Sequence, residues 1–260
     1  MDQTATRSTN PDDYQNVPRP VAVLARDIER HHTTPWHSHK RGQLVYATSG
    51  VMIVRTRQGE WVVPPQRAVW VPPGVEHETQ TIGVVAMRTV YVEERLARRL
   101  SSECRAVNVS PLLRELIQRA ATLPLLYARR RPEARVMQMI LDEICESSML
   151  PLHLPMPSHQ RLSNICGSIL RNPRCHDTLD RLAAPEGMSK RTAERLFNRQ
   201  VGITFSRWRQ HARLLAGLAQ LAAGKSVKQA AFEAGYSSQS AFASTFKRTF
   251  GTTPRQYFNA

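Results

Sequence analysis

The 260-residue sequence predicts an α+β chain of two domains: a β-barrel carrying helices, then an all-α part with two helix-turn-helix units. Three observations carry that prediction. Apolar residues run in short β-type blocks up to about residue 92 and at helical spacing after it. Three prolines, Pro151, Pro155 and Pro157, stand within residues 149–158, which neither a helix nor a central strand accommodates. Beyond them one passage occurs twice. Phe197 and Phe246, Gly202 and Gly251, and Thr204 and Thr253 are each 49 apart, while Ala183 and Ala231, and Gly187 and Gly235, are 48 apart. One inserted residue separates the two registers, so this is an internal duplication. The expected division is a disordered tail (1–17), a barrel (18–92), a helical extension (93–148), a stiff linker (149–158) and the duplicated domain (159–260).

Composition narrows the function. No apolar run approaches a membrane span, and the first residues lack the apolar core of a signal peptide, so the chain is expected in the cytoplasm. The four cysteines, Cys104, Cys145, Cys166 and Cys175, form no CxxC pair and are expected as free thiols; Cys175-His176 alone makes a poor metal site. Net charge is +15, and its distribution is uneven. Residues 158–260 hold 16 basic and 5 acidic side chains, +11, against +4 for the first 157. A basic duplicated domain without aromatic anchors for a bilayer implies a polyanionic partner, most simply nucleic acid.

In the N-terminal half the strand candidates are 21–24, 42–47, 51–54, 60–63, 67–71 and 86–92, with Gly50 and Gly59 at turns and Pro64-Pro65 and Pro72-Pro73-Gly74 breaking the ladders. His37 and His39, at i and i+2, project to one face of a strand. Gln43 could approach that face if the chain bends at Gly42, and His77, after the Pro-Gly turn, could complete the set. This arrangement resembles the cupin fold over residues 18–92. The first cupin motif is HxH, three residues, a carboxylate, six residues and Gly; here Gln43 takes the carboxylate position and Gly50 the last. The second motif, PxGxxH, is met by Pro72, Gly74 and His77, with Thr81 where asparagine is expected. Two readings of these side chains stay open. His37, His39, Gln43 and His77 are candidate ligands for a divalent metal, though Gln43 removes a helpful negative charge. Alternatively they line a pocket for a small effector together with Tyr46 and Trp70, either of which could instead be core. Arg41 beside them could meet an anionic effector or lie on the surface.

Residues 111–120 and 132–144 carry apolar positions at helical spacing, each opened by a proline suited to a first turn. Their stripes could pack on the barrel or pair with a second subunit. After the linker, helices are expected over 161–172, 179–184, from Ser189, over 205–223, over 227–234, and from Ser237 or Ser238. In the third of these Ala193, Leu196 and Phe197 face inward, leaving Arg191, Glu194, Arg195, Asn198 and Arg199 on the other side. In the last, Ala241, Phe242, Thr245 and Phe246 form the inner set. Gln239, Ser240, Ala243 and Ser244 can then face DNA, and Lys247 and Arg248 suit phosphates. Helix, glycine turn and capped helix, twice over, is the helix-turn-helix pattern.

The passage Gly235 to Tyr257 (Gly-Tyr-Ser-Ser-Gln-Ser-Ala-Phe, then Phe-Lys-Arg-Thr-Phe-Gly-Thr-Thr-Pro-Arg-Gln-Tyr) is similar along nearly its whole length to the signature of the AraC/XylS family of bacterial transcription regulators. With the cupin-like half matching the usual sensory domain, the resemblance covers about 90% of the chain. It implies a non-enzymatic, operator-binding regulator, activator or repressor, controlled by a small-molecule effector. Its expected partners are double-stranded DNA, a second copy of the chain and RNA polymerase. The first reading helix would use Ser189, Lys190, Arg191, Glu194, Arg195, Asn198 and Arg199, and the second Ser238, Gln239, Ser240, Ser244, Lys247 and Arg248. Ser244 departs from the long basic side chain common there, which shifts discrimination toward the first helix. Two other classes remain open at this point: a metal-dependent cupin enzyme fused to a DNA-binding domain, and a constitutive architectural DNA binder.

Overall fold

The computed structural model describes residues 8–29, 31–148, 150 and 152–257. Residues 1–7 of the expected tail, and Met149 and Pro151 of the expected linker, lie outside these. The chain divides into two units, one of Met1–Val54 with Val63–Leu150, the other of Arg55–Val62 with Pro151–Ala260. The expected 18–92 barrel is therefore not one piece. The end of its second strand and most of its third belong with the C-terminal unit.

The N-terminal unit is an antiparallel sheet under helices. Its strands are β1 (Val21–Ile28), β2 (Gly42–Thr56), β4 (Arg67–Val71), β5 (His77–Val92) and β6 (Arg105–Asn108), and its helices α1 (Glu94–Leu100), α2 (Pro111–Thr122) and α3 (Pro132–Glu146). β1 pairs with β5 from Val21↔Val92 to Ile28↔Val85, and β4 lies between β2 and β6. Because side chains alternate along a strand, this register assigns every residue to a face. Val21, Val23, Leu44, Tyr46, Ala68, Trp70, Val90 and Val92 form one buried layer against Leu113, Ile117, Met137, Ile140 and Ile144 of α2 and α3. The helical stripes thus fill a core within the unit, and Leu112 and Met139 are left exposed. Ala22, Leu24 and Tyr91 occupy the opposite face.

Four expectations change here. β2 is one 15-residue strand, not two: Gly50 bends it with φ +82°, where an added Cβ would fall 2.3 Å from the Val84 carbonyl oxygen. β5 begins at His77, nine residues before the predicted start, because its polar first half alternates Thr79 and Thr81 inward. β6 is a strand that the period change after residue 92 conceals. Finally, residues 10–17 are not a loose tail. Asn10 caps a short 3-10 turn (Pro11–Tyr14), and Tyr14 is buried against Ala22, Leu24 and Tyr91.

The C-terminal unit contains α4 (Gln160–Arg171), α5 (Leu179–Ala183), α6 (Lys190–Val201), α7 (Phe205–Ala222), α8 (Val227–Glu233) and α9 (Gln239–Phe250). α5 and α6, then α8 and α9, are the two helix-turn-helix units, each turning at a left-handed glycine: Gly187 (φ +65°) and Gly235 (φ +76°). Thr178, Ser189, Thr204, Ser226 and Ser238 each cap a helix through the side-chain oxygen, satisfying N–H groups that the first turn leaves open. The longest helix, α7, lies between the copies. A Cβ at Gly217 would come within 2.5 Å of the Phe242 ring, and one at Gly235 within 2.4 Å of the Pro173 carbonyl oxygen. Arg213 donates to the carbonyls of Pro173 and Cys175, both at 2.8 Å, and Arg209 to that of Asp177 at 2.6 Å. Arg174 in the same loop stacks 4.1 Å over Phe232.

The expected linker includes a strand, β7 (His153–Pro155), which pairs with β3 (Gly59–Val63) as an edge strand, a position where proline is tolerated. Trp61 stacks on His153 with ring centroids 4.5 Å apart, and the Trp208 indole donates to the Pro155 carbonyl at 2.7 Å, tying β7 to α7. Burial pushes the His153 imidazole below its ordinary pKa, and it pushes His211 of α7 down as well, with His153 adding to the effect on His211. Both rings fold neutral, while the unfolded chain takes up protons below about pH 6.5. Their contribution is therefore present above that pH and lost as the pH falls. We expect urea midpoints to decline from pH 7.5 to pH 5, and His211→Gln to flatten that slope. An unchanged slope in the variant would remove His211 from the account.

Candidate DNA interface and ligand site

In α6 the inner residues Ala193 and Phe197 are buried, and Phe197 meets Phe205 and Trp208 edge-on. Hydrophobic spacing therefore dictates which side chains point outward. Ser189, Lys190, Arg191, Glu194, Arg195, Asn198 and Arg199 are all exposed. Two qualifications follow from local bonding. Ser189 is the cap of α6, its hydroxyl accepting from the Thr192 N–H, and Lys190 sits 3.9 Å from Glu194 one turn on. Such an exposed pair is worth well under about 1 kcal/mol, so both side chains can leave it for another partner.

In α9 the buried residues are Phe242, Thr245 and Phe246, with Phe246 packed among Phe242, Phe250 and Tyr257. Ala241, expected inside, is exposed; it belongs to the first turn, where its N–H bonds the Ser238 cap. Ser238, Gln239, Ser240, Ser244, Lys247 and Arg248 are exposed as well. The outer face of α6 thus presents Arg191, Arg195 and Arg199 on successive turns. The corresponding face of α9 has small polar groups, with cations only in its last turns.

The second site lies in the N-terminal unit. A backbone bridge pairs His37 with His77, the first residue of β5, and brings three imidazoles together: ring centroids are 4.4 Å apart for His37–His77, 4.8 Å for His37–His39 and 5.4 Å for His39–His77. Their ligand atoms lie within 4.8 Å of one another. His37 Nδ1 lies 2.7 Å from the Pro35 carbonyl oxygen and His77 Nδ1 2.9 Å from that of Val75. A carbonyl only accepts, so both rings carry a proton on Nδ1, and in His77, which burial keeps neutral, Nε2 is left with a bare lone pair. Nε2 of His39 and of His77 are buried with no hydrogen-bond partner, as is Gln43 Oε1. Burial, with His77 and His37 nearby, lowers the His39 pKa to about 3. Burial lowers that of His77 to about 4, against a bond to Val75 that raises it. The two buried imidazoles, His39 and His77, are therefore neutral at physiological pH.

Gln43 joins this group as expected, its Nε2 donating to the Tyr91 hydroxyl at 3.4 Å. Tyr91, whose ring lies 5.3 Å from His39, is a member that the sequence reading missed. Tyr46 and Trp70 are not members. Gln43 pairs with Val71 while Tyr46 pairs with Ala68 and Leu44 with Trp70, so alternation puts both aromatics on the helix-covered face. Each is at most 1% exposed, and the Trp70 indole donates to the Ser101 carbonyl. Truncating such a side chain costs about 3–5 kcal/mol, so variants there would report on folding rather than on a ligand. Arg41 also turns away from the histidines, toward the carbonyls of Gln15, Val17 and Arg19.

Comparison with known proteins fits both halves. Residues 182–260 match a helix-turn-helix domain family and residues 20–144 the AraC-like ligand binding domain family. The chain is also 33% identical over 225 residues to the HTH-type transcriptional regulator NimR of Escherichia coli (strain K12), covering 86% of this chain and 82% of that one. The chain belongs to the AraC family of transcriptional regulators. The branch that includes NimR is also the one that the stretch from His37 to Met52 suggests. Over 79 residues the chain is 39% identical to the virulence regulon transcriptional activator VirF of Yersinia enterocolitica, which covers 30% of this chain and 29% of that one. The solved structure of ToxT from Vibrio cholerae aligns over 93% of this chain and 98% of its own, with 10% identity and a TM-score of 0.40. As an AraC-family member the chain is a DNA-binding transcriptional regulator with an N-terminal ligand-binding domain, and the relatives named here are regulators. No helix among the described residues is long and apolar enough to cross a membrane.

Proposed function

We propose that α6 discriminates between operator sequences, that α9 mainly anchors the second head, and that the effector acts at the imidazole cluster of the N-terminal unit. The observation that carries the first part is the contrast between the two outer faces. Arginine can bond guanine O6 and N7 together, and asparagine adenine N6 and N7, whereas serine is a short, permissive contact. Arg191, Glu194, Arg195 and Asn198 are assigned to base edges. Lys190, Arg199, Lys247 and Arg248 are assigned to phosphates, with Ser189 and Ser238 as capped helix starts near the backbone. Gln239, Ser240 and Ser244 supply the weaker reading of the second half-site.

For the effector domain, the orphaned Nε2 atoms and Gln43 Oε1 support a divalent first-row ion held by His37, His39, His77 and Gln43. The Nδ1–carbonyl bonds of His37 and His77 are the outer contacts that orient imidazole ligands. An ion there would offer an effector a Lewis-acidic anchor. The exposed Leu112 and Met139 on α2 and α3 favour homodimerisation through those helices. The protein would work in the cytoplasm on nucleoid DNA, with RNA polymerase as the further partner.

Arg195→Ala should cost about 1–3 kcal/mol of discrimination, measured as binding to a specific and a scrambled duplex at one fixed salt concentration. An equal loss on both duplexes would make Arg195 a phosphate contact. For the cluster, metal analysis of the purified protein should give about one equivalent, lost in His77→Ala. Less than about a tenth of an equivalent would leave the imidazoles as effector-binding groups without an ion.

A further inference from the structure

A cleft of about 690 Å³ opens in the N-terminal unit and shares no lining residue with the imidazole cluster. It lies among the segment before β1, the start of α1, Tyr127 and one face of α3. Four arginines line it, Arg19, Arg41, Arg95 and Arg129, against a single carboxylate, Glu93. Its other side is aliphatic, with Leu96, Met137 and Leu141.

Arg41 is the informative member. It is only 6% exposed, and its Nε and Nη2 donate to the carbonyls of Gln15, Val17 and Arg19. Its Nη1 is buried with no hydrogen-bond partner. Arg19 differs, since its three nitrogens all donate to carbonyls, of Tyr127, Pro18 and Leu126. A buried guanidinium with one face unused is costly unless an anion meets it. Arg95, largely exposed and 3.8 Å from Glu93, and Arg129, which donates to the Pro18 carbonyl, add positive field at the rim. The volume falls within the usual range of small-molecule sites, and apolar walls with a few placed polar groups are their usual lining.

We propose that this cleft binds an amphipathic monoanion, a carboxylate on an aliphatic tail, with the carboxylate on Arg41 Nη1 and the tail along Leu96, Met137 and Leu141. The inference goes beyond the effector site described above and does not depend on it. The two are linked along the chain, however, because Arg41 stands two residues from His39 and two from Gln43. An anion that fixes Arg41 and the segment carrying Val17 and Arg19 would therefore reach the stretch that carries the cluster.

The test is isothermal titration of the full-length protein, without DNA, with octanoate and with 1-octanol and octyl phosphate for comparison. Octanoate should bind saturably, with octanol at least about tenfold weaker because it lacks the charge-assisted bond. Arg41→Met should abolish octanoate binding, but that residue also holds the N-terminal segment and the variant could unfold. The double variant Arg95→Glu with Arg129→Glu alters only the rim and should weaken octanoate at least about tenfold while melting as the parent does. No saturable binding, equal binding of octanol, or binding indifferent to the double variant would each overturn the proposal. Tighter binding of octyl phosphate than of octanoate would overturn the carboxylate assignment.

Discussion

Both DNA-reading heads depend on one close approach in α7. Gly217 leaves room for the Phe242 ring of α9, and any side chain there would drive the two helices apart. On the same helix Arg209 and Arg213 grip the loop of residues 173–177, and Gly235 of the second turn lies against that loop's backbone. The two copies of the duplicated passage are thus two halves of one packed object, not beads on a string. That explains why Gly187 and Gly235, Gly202 and Gly251, and Phe197 and Phe246 recur while the outer faces diverge. The inner set must satisfy a shared scaffold, and the outer set is free to meet different base pairs.

The N-terminal unit obeys a different economy. One face of its sheet is a conventional apolar core beneath α2 and α3, and stability resides there. The other face accepts buried imidazoles, an amide oxygen and threonine hydroxyls, several without partners. Packing alone would not select that set, since each unpaired buried polar atom costs about 1–3 kcal/mol. Polar groups kept in such a place point to a ligand that completes them. The Nδ1 bonds of His37 and His77 to two carbonyls orient both rings in the same way.

Much of this was legible in the sequence because the signals were periodic. Caps, glycine turns and the repeat spacing placed α5, α6, α8 and α9 within a residue or so, and the HxH and PxGxxH spacings brought His37, His39 and His77 together. What failed was local parity and long-range contact. Gln43 and Tyr46 are three apart, so they cannot share a face of one strand; counting alone would have removed Tyr46 from the pocket. Trp70 follows only once its pairing with Leu44 is known, which no local pattern supplies. Residues 10–17 look like a polar tail because what holds them, the buried Tyr14 and the bonds from Arg41, leaves no periodic pattern in the sequence. Arg41 looked like a neighbour of the histidines because a bend at residues 40–41, not a regular strand, decides its direction. β7 was hidden by the prolines, which exclude a central strand but allow the edge position it takes.

The claim that the two heads form one rigid reading unit is open to direct measurement. A duplex selected for tight binding can be re-made with about 5 or about 10 base pairs inserted between its two contacted half-sites, half a helical turn or a whole one. Because α7 fixes the distance as well as the rotation between α6 and α9, both insertions should weaken binding at least about tenfold at constant salt. Affinity unchanged by either insertion would mean that the heads engage DNA independently, and would contradict the account.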